Sequence, residues 1–153
     1  MEKTNVHRLL DASHISYSAH FYDAEVTDGE EVARLVDADP NRVFKTLVTE
    51  DPNHHYYVFC IPVNAHLDLK KAAKAAHAKS ISMILQKNLL PLTGYIHGGC
   101  SPIGMKKAFP TFIEETAQLF DTIMVSAGKR GCQVELSPID LAQYASATFV
   151  DLI

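Results

Sequence analysis

The sequence predicts an α+β fold, in which helices surround a mixed β-sheet, in a single domain that spans residues 1–153. Three observations support this prediction. About seven short segments are typical of strands, four or five are typical of helices, and the two kinds do not alternate as they do in parallel βαβ sheets. A chain of 153 residues, 47% of them hydrophobic, buries enough surface to hold its core without disulfides or a structural metal.

The N-terminal part of the chain is predicted to contain a helix, a strand and a second helix. Apolar residues recur at helical spacing over residues 6–10, and this segment ends near Ser13. Residues 15–22 are rich in aromatic and other β-prone side chains, which is typical of a strand. Residues 27–30, Thr-Asp-Gly-Glu, match the capping-box pattern. The helix that they open should end at Asp39-Pro40.

The middle of the chain is predicted to form a hairpin followed by a helix. Residues 42–50 and 56–63 are predicted to be antiparallel strands, joined by a polar turn over residues 51–55. Residues 67–78 are rich in alanine and lysine and predict a helix. Residues 81–85 fit either a strand or the start of a short helix, and both interpretations stay open at this point.

The C-terminal part of the chain is predicted to be mainly strands, with one helix. Residues 92–99 are predicted to be a strand that runs into a glycine-rich loop over residues 98–104. A tight turn is predicted over residues 128–131. Ser137 can cap a helix whose first position is Pro138. The remaining strands are predicted over residues 111–113, 122–126, 133–136 and 148–152.

Composition excludes several classes of protein. The apolar runs are far shorter than the ~20 residues that cross a bilayer, and the first ten residues lack the apolar core of a signal peptide. Cys60, Cys100 and Cys132 are an odd number with no C-x-x-C pair, which argues against a disulfide framework and a cysteine-rich zinc site. The eight histidines form neither H-x-x-x-H nor H-E-x-x-H. We therefore expect a cytoplasmic protein without membrane contact, metal or cofactor.

Charge is distributed unevenly along the chain. The formal net charge is −4, but residues 66–110 contain seven lysines and a single acidic residue, Asp68. Such a split can create a local basic surface that attracts a polyanion on an otherwise acidic protein. It is equally consistent with ordinary solvated helix faces, so charge alone does not decide between these two interpretations.

The most informative segment is residues 94–107, G-Y-I-H-G-G-C-S-P-I-G-M-K-K. Its glycines let the backbone approach a ligand closely, and Pro102 holds Ser101 towards extended conformations. Backbone N–H groups fixed in this way can stabilise negative charge that develops on an ester oxygen. Lys106 and Lys107 follow directly and could hold phosphates. The alternative is a purely structural bend between a strand and a loop.

Lys45 is an unusual residue because it lies in the middle of an apolar strand, V-F-K-T-L-V. Strand alternation places it on the same side as Val43 and Leu47, with Phe44 and Val48 on the other side. Such a lysine either extends to water at a sheet edge or projects into a cavity. In a cavity it could bind a carbonyl oxygen, a thiolate or a phosphate as a point charge.

Two further features could carry chemistry. Residues 126–131, S-A-G-K-R-G, form a second turn bounded by glycine, which is either a basic contact site or an ordinary solvated hairpin tip. Cys100 is the only cysteine placed as a nucleophile would be, within the glycine-rich loop. No His–Asp pair is identifiable to activate it.

Taken together, three segments resemble the YbaK/EbsC family of free-standing aminoacyl-tRNA deacylases, which are related to the editing domain of bacterial prolyl-tRNA synthetases. The segments are V-F-K-T-L, the loop over residues 94–107 and V-S-A-G-K-R-G, in family order. With their flanking elements they cover residues 5–152. The resemblance implies a partly barrel-like sheet with helices outside. It also implies removal of cysteine from mischarged Cys-tRNA(Pro), and from Cys-tRNA(Cys).

The resemblance also implies roles for individual residues. Lys45 corresponds to the invariant family lysine and is assigned as the catalytic residue. The residues assigned to substrate binding are Tyr22, Thr46, Gly98, Gly99, Cys100, Ser101, Pro102, Ser126 and Gln133. The residues expected to contact RNA are Lys106, Lys107, Lys129 and Arg130. Two positions depart from the family pattern and bear on amino-acid specificity: Gln133 stands where some members carry aspartate, and Cys100 stands where the residue is often aliphatic.

The implied mechanism needs no protein nucleophile, because a cysteinyl ester carries its own thiol a few bonds from the carbonyl. The substrate sulfur attacks the ester and expels the tRNA 3′ end, which leaves a thiolactone.

Two alternatives stay open. One is a deacylase for another small amino acid such as alanine, which would use water and the tRNA hydroxyl. The other is a non-catalytic module that binds aminoacyl-tRNA or a synthetase. The expected partners are the acceptor end of tRNA and prolyl-tRNA synthetase.

Overall fold

The computed structural model describes residues 2–153, which form five α-helices and eight strands and confirm the predicted α+β class. The helices are α1 (Asn5–Ala12), α2 (Gly29–Leu35), α3 (Leu69–Ala76), α4 (Leu89–Thr93) and α5 (Pro138–Ala145). The strands are β1 (Tyr17–Phe21), β2 (Phe44–Glu50), β3 (Tyr56–Pro62), β4 (Ser82–Met83), β5 (Thr111–Glu114), β6 (Ile123–Ser126), β7 (Cys132–Leu136) and β8 (Thr148–Val150). No helix within residues 2–153 has the length and apolar character that crossing a membrane requires.

The strands form two sheets that meet at one point. The first sheet has the order β1-β7-β6 and is antiparallel. The second has the order β4-β2-β3-β5-β8 and is mixed, with parallel pairing at β3–β5 and β5–β8. Val43, just before β2, forms a parallel bridge with Met124 of β6 and so joins the sheets. The sequence pattern predicted about seven strands, and the family resemblance implied one partly barrel-like sheet. The structure has eight strands in two joined sheets.

Strand β2 separates the main core from a second apolar layer. Phe44 and Val48 belong to the main core between the sheets. Val43 packs against Met124 in a small cluster, and Leu47 packs in a cluster around Phe59 and helix α3. The predicted alternation is confirmed, so Lys45 lies on the side of β2 that faces away from the main core.

The prediction of a strand over residues 92–99 is wrong. Residues up to Thr93 belong to helix α4, and Gly94 ends that helix in the left-handed conformation (φ 83°). The Thr93 hydroxyl donates to the Leu89 carbonyl at 2.8 Å and accepts the Tyr95 N–H at 3.0 Å, which satisfies polar groups at the helix end. The β-prone pair Tyr95-Ile96 then lies in a loop, because no strand within residues 2–153 pairs with it.

Two other local predictions are adjusted by the structure. The N-cap of α2 is Asp28 rather than Thr27, and its Oδ2 accepts the Glu31 N–H at 3.2 Å. The helix ends at Leu35, before Asp39-Pro40, which instead starts a turn of 3₁₀ helix. The ambiguous residues 81–85 contain the two-residue strand β4, which pairs with the end of β2.

Candidate active site

A cavity of about 370 Å³ lies where the two sheets meet. Most of its wall comes from strand β2, the outer face of the β1-β7-β6 sheet, the start of helix α2 and the glycine-rich loop, and the residue after β3 and the first residue of α4 complete it. The lining residues are Tyr22, Thr27, Asp28, Gly29, Val32, Val43, Phe44, Lys45, Thr46, Leu47, Val63, Leu89, His97, Gly98, Cys100, Ser126 and Gln133.

Lys45 lies in the wall of this cavity rather than at a free sheet edge. The parallel bridge between Val43 and Met124 brings the start of β2 next to β6, and Ser126 at the end of β6 lines the same cavity as Lys45. Lys45 is half-buried, and its ammonium group has no hydrogen-bond or ion-pair partner within residues 2–153. It is therefore a cation available to a ligand.

The floor of the cavity is polar and consists of Ser126, Gln133 and Tyr22. Ser126 and Gln133 are partners in the β6–β7 register. The Ser126 hydroxyl accepts the Gly128 N–H at 3.2 Å, and Gln133 Nε2 donates to the Tyr22 hydroxyl at 3.4 Å. Gln133 is only 6% exposed, and its Oε1 finds no donor among residues 2–153. The cavity therefore has an acceptor that the described protein leaves unsatisfied.

A charged network braces the same sheet face beside Gln133. His20 Nε2 donates to Glu135 at 2.8 Å, and the Arg42 guanidinium donates to the other oxygen of that carboxylate at 2.9 Å. The Thr122 hydroxyl, then His20 and Arg42, hold the pKa of Glu135 below its usual range. This network fixes β1 and β7 relative to the segment before β2 and so keeps the cavity floor in place.

The glycine-rich loop and the turn over residues 126–131 pack backbone against backbone. A Cβ atom added to Gly99 would lie 3.0 Å from the Cα of Lys129. Arg130 Nε donates to the carbonyl of His97 at 2.9 Å. The two glycine-bounded segments of the sequence thus form one structural unit.

The loop amides differ in their availability. The Gly99 N–H donates to the Ile96 carbonyl at 3.0 Å and is already paired within the loop. The N–H groups of Gly98 and Cys100 have no acceptor within residues 2–153. Gly98 and Cys100 also line the cavity, whereas Gly99 does not.

Ser101 and Pro102 support the loop from behind and do not line the cavity. Both are buried, and the Ser101 hydroxyl accepts the Ile103 N–H at 3.2 Å. The Tyr95 hydroxyl donates to the Ile103 carbonyl. Of the loop residues expected to bind substrate, Gly98 and Cys100 border the cavity, and Ser101 and Pro102 position them.

Cys100 forms an apolar part of the cavity wall. Burial raises the pKa of its thiol to about 12, and burial does the same for the neighbouring Cys60. Both groups are therefore protonated at neutral pH, whereas a cysteine acts as a nucleophile in its thiolate form. The chemistry of the site must come from other groups.

Two of the four cations expected to contact RNA lie beside the cavity. Lys129 and Arg130 line an adjoining cavity of about 300 Å³, and Tyr22 lines both cavities. Lys106 and Lys107 are exposed in the loop that follows Gly104, and neither lines the first cavity.

The other lysines of residues 66–110 are not gathered at the cavity. Lys70, Lys74 and Lys79 line a separate groove along α3, and Lys71 pairs with Asp151 at 2.9 Å. The seven lysines are therefore spread over helix α3 and the residues just after it, the 3₁₀ turn that contains Lys87, and the loop after Gly104.

Ten of the residues that line the cavity were not among the predicted site residues, and Asp28 and His97 are the two of these with ionisable side chains. Asp28 lies within a helix-cap pattern, and no sequence signal could have shown that it also lines a cavity. His97 lies within the glycine-rich segment, and its position next to Gly98 in the sequence could have identified it as a site residue. Among the described residues, no group of three or more metal-binding side chains is close enough to hold a metal ion.

Comparisons with known proteins agree with one another. A model of the aminoacyl-tRNA editing domain family matches residues 23–144. A protein of Enterococcus faecalis (strain ATCC 700802 / V583), named "Putative Cys-tRNA(Pro)/Cys-tRNA(Cys) deacylase EbsC", is 42% identical over 153 residues, covering 99% of this chain and 93% of that protein. The uncharacterized protein YwhH of Bacillus subtilis (strain 168) is 23% identical over 124 residues, covering 80% of this chain and 78% of that protein.

Solved structures share the fold at low sequence identity. The crystal structure of a "putative trans-editing enzyme for prolyl tRNA synthetase" matches with a TM-score of 0.84 at 21% identity, covering 99% of this chain and 98% of that one. The crystal structure of a hypothetical protein matches with a TM-score of 0.89 at 19% identity, covering 97% and 99%.

Proposed function

The chain belongs to the family of aminoacyl-tRNA editing domains, and from that premise we propose that it is a free-standing deacylase that removes cysteine from mischarged Cys-tRNA(Pro) and from Cys-tRNA(Cys). The observation that carries the proposal is a cavity lined by Lys45, which has no ion-pair partner among the described residues, and by Gly98 and Cys100, whose N–H groups are free and whose one thiol stays protonated. The Enterococcus relative, named for the same activity, matches over nearly the whole chain.

The chemistry requires little from the protein besides orientation and charge stabilisation. The substrate sulfur attacks its own ester carbonyl, a tetrahedral oxyanion forms, and the bond to the ribose oxygen breaks. That oxygen takes up the proton that the thiol releases, and the thiolactone is later opened by water. Holding the thiol in attack geometry replaces a separate nucleophile and lowers the barrier by several kcal/mol.

Lys45 is the group that we assign to the anionic centre. Lys45 lines the cavity and its ammonium group has no competing partner among the described residues, so it can stabilise the attacking thiolate or the oxyanion as a point charge. The free N–H groups of Gly98 and Cys100 border the same space and can share the charge on the oxyanion.

The remaining wall shapes the space for a small side chain. We assign Tyr22, Thr46, Ser126 and Gln133 to contact the aminoacyl group, since all four line the cavity. Gly99, Ser101 and Pro102 keep the loop in its conformation. Selection for cysteine over serine or alanine then follows from reactivity, because only cysteine has a strongly nucleophilic sulfur.

Contact with the tRNA is assigned to cations outside the cavity. Lys129 and Arg130 lie at its edge and can bind phosphates near the 3′ end, with Lys106 and Lys107 further along the acceptor stem. Such contacts do not read a sequence, and we propose that docking on prolyl-tRNA synthetase supplies tRNA choice. Three free, buried cysteines suit the reducing cytoplasm, where tRNA is charged.

The test is a panel of cysteinyl-, alanyl- and prolyl-tRNA under single-turnover conditions. The proposal expects cleavage of cysteinyl-tRNA alone and a rate decrease of about 100-fold or more for Lys45→Ala, because the charge on the reacting centre is no longer stabilised. Lys79→Ala, on the groove beside α3, is the matched control and should keep the parent rate.

Other outcomes of the panel would replace the proposal. Preferential cleavage of alanyl-tRNA would identify a deacylase for another small amino acid. Tight binding of all three substrates without cleavage would identify a non-catalytic module. An unchanged rate in Lys45→Ala would remove Lys45 from the mechanism.

A further inference from the structure

The cavity contains two opposite charges that do not neutralise each other. Among the described residues that line it, Asp28 is the only carboxylate and Lys45 is the only lysine or arginine. Neither forms an ion pair, with the other or with any residue in 2–153. Unpaired charges of opposite sign at the edge of one cavity suit a ligand that brings both complementary charges.

The carboxylate of Asp28 is held in place by the fold. Its Oδ2 accepts the Glu31 N–H at 3.2 Å as the cap of helix α2, while Oδ1 makes no hydrogen bond within residues 2–153. The preceding residue, Thr27, packs on the glycine-rich loop, because a Cβ atom added to Gly98 would lie 3.0 Å from Thr27 Cγ2. One carboxylate oxygen is therefore fixed and the other remains available next to the loop.

Gln133 supplies an independent indication that the cavity lacks a donor. Its side chain is more than nine-tenths buried, lines the same cavity and has an Oε1 atom with no partner among the described residues. A buried acceptor without a donor destabilises the folded protein, and a donor on a ligand would remove that destabilisation. The cavity thus offers two acceptors to the N–H groups of a ligand: the exposed anionic carboxylate of Asp28 and the buried neutral Oε1 of Gln133.

We propose that Asp28 binds the α-ammonium group of the aminoacyl ester and so restricts the site to acyl groups with a free amino group. This inference rests on the proposed function, in which the ester carbonyl and thiol lie at Lys45. An ammonium group has three donors and a positive charge, which match Asp28 Oδ1 and leave a donor for a neutral acceptor. An acyl group without the amine leaves Asp28 unpaired and binds more weakly.

The test compares the binding of two stable ligands by calorimetry. The first is 3′-cysteinylamino-3′-deoxyadenosine, and the second is the 3-mercaptopropionyl analogue, which keeps the thiol and carbonyl but lacks the amine. The parent protein should bind the first ligand at least about tenfold more tightly, as expected for a charge-assisted hydrogen bond. Asp28→Asn should reduce that ratio to about one by weakening only the amino ligand.

The variant is chosen so that the fold is preserved. Asparagine caps helices about as well as aspartate, so Asp28→Asn keeps helix α2 while removing the charge. Asp28→Ser, a second capping residue, should behave in the same way. Asp68→Asn is the matched control, because Asp68 caps helix α3 away from the cavity and should keep the parent ratio.

The outcomes separate the inference from the proposed function. An Asp28→Asn protein that keeps the parent ratio, or that loses affinity equally for both ligands, would overturn the inference. A second outcome is that the parent protein cleaves no cysteinyl-tRNA and still binds the amino ligand about tenfold more tightly than the analogue without the amine. That result would contradict the proposed function and uphold the ammonium site. A parent that binds both ligands equally would overturn the inference whatever its cleavage activity.

Discussion

Gln133 donates from Nε2 to the Tyr22 hydroxyl across 3.4 Å, and this hydrogen bond links the cavity floor on β7 to the residue that follows β1. The opposite end of the same carboxamide, Oε1, is unpaired among residues 2–153. Tyr22 also borders the second cavity, which Lys129 and Arg130 line. The pair therefore lies between the space assigned to the aminoacyl group and the cations assigned to the tRNA.

The unpaired carboxamide oxygen of Gln133 predicts that a substitution at this position can raise stability and lower activity. In Gln133→Met, the free energy of unfolding should rise by about 1 kcal/mol, because a buried acceptor without a donor is removed at similar volume. Cleavage of cysteinyl-tRNA should fall at the same time. Urea denaturation and single-turnover kinetics measure the two effects. Gln143→Met, at an exposed position on α5, is the control and should change neither. A less stable Gln133→Met protein would contradict this account.

The close approach of two backbone segments predicts a large effect at Gly99. A Cβ atom there would lie 3.0 Å from Lys129 Cα, so Gly99→Ala must push the loop away from the turn. We expect stability to fall by roughly 1–3 kcal/mol from this overpacking. Deacylation should fall by at least about tenfold, because the loop amides move away from the reacting carbonyl.

Gly94→Ala is the matched control for that loop. Gly94 has a φ of 83°, and the nearest atom to an added Cβ is Lys106 Cβ at 3.8 Å. The substitution should cost about 1–2 kcal/mol of backbone strain while deacylation is largely retained. Equal decreases of activity in Gly99→Ala and Gly94→Ala would show that the packing of Gly99 on the turn is unimportant.

The raised pKa values of two thiols predict how stability depends on pH. Cys60 and Cys100 have a pKa of about 12 in the folded protein, against an ordinary value of 9.0. Above about pH 9 they ionise in the unfolded chain but stay protonated in the folded one, so stability falls as pH rises towards 12. Each group contributes a slope of about 1.4 kcal/mol per pH unit. Denaturation at pH 8, 9 and 10 measures the slope, and Cys100→Ala should reduce it.

The sequence was most informative where structure depends on local pattern. The alternation in residues 43–48 placed Lys45 opposite the main core, because a strand fixes side-chain direction with a period of two. The resemblance to editing proteins, which rests on three short segments, is confirmed by the family match.

The sequence was least informative where contacts between distant segments decide the outcome. Residues 95 and 96 are β-prone, but Gly94 ends a helix just before them and no strand pairs with them. Asp28 lies within the local pattern that predicts a helix cap at Thr27, and its place beside the cavity depends on the packing of that segment against the glycine-rich loop. Whether Gln133 Oε1 has a hydrogen-bond donor likewise depends on all the residues that surround it in the folded chain, which the sequence alone does not identify.

The position of Lys129 predicts a salt-dependent contribution to tRNA binding. Lys129 is exposed, forms no ion pair within residues 2–153 and lines the cavity that adjoins Tyr22. Removing one phosphate contact should reduce the slope of log affinity against log salt by about 0.7–0.9, so Lys129→Gln should weaken binding most at low salt. Lys129 is preferable to Arg130 for this test, because Arg130 also holds the His97 carbonyl.

Fluorescence anisotropy with labelled tRNA between about 50 and 200 mM salt measures that slope, over a range in which phosphate contacts change affinity strongly. Lys79→Gln removes the same charge from the groove beside α3 and controls for net charge. If Lys79→Gln lowers the slope as much as Lys129→Gln does, then overall charge rather than a defined contact governs binding. If neither variant changes it, the tRNA phosphates lie elsewhere, and Lys106 and Lys107 become the next positions to substitute.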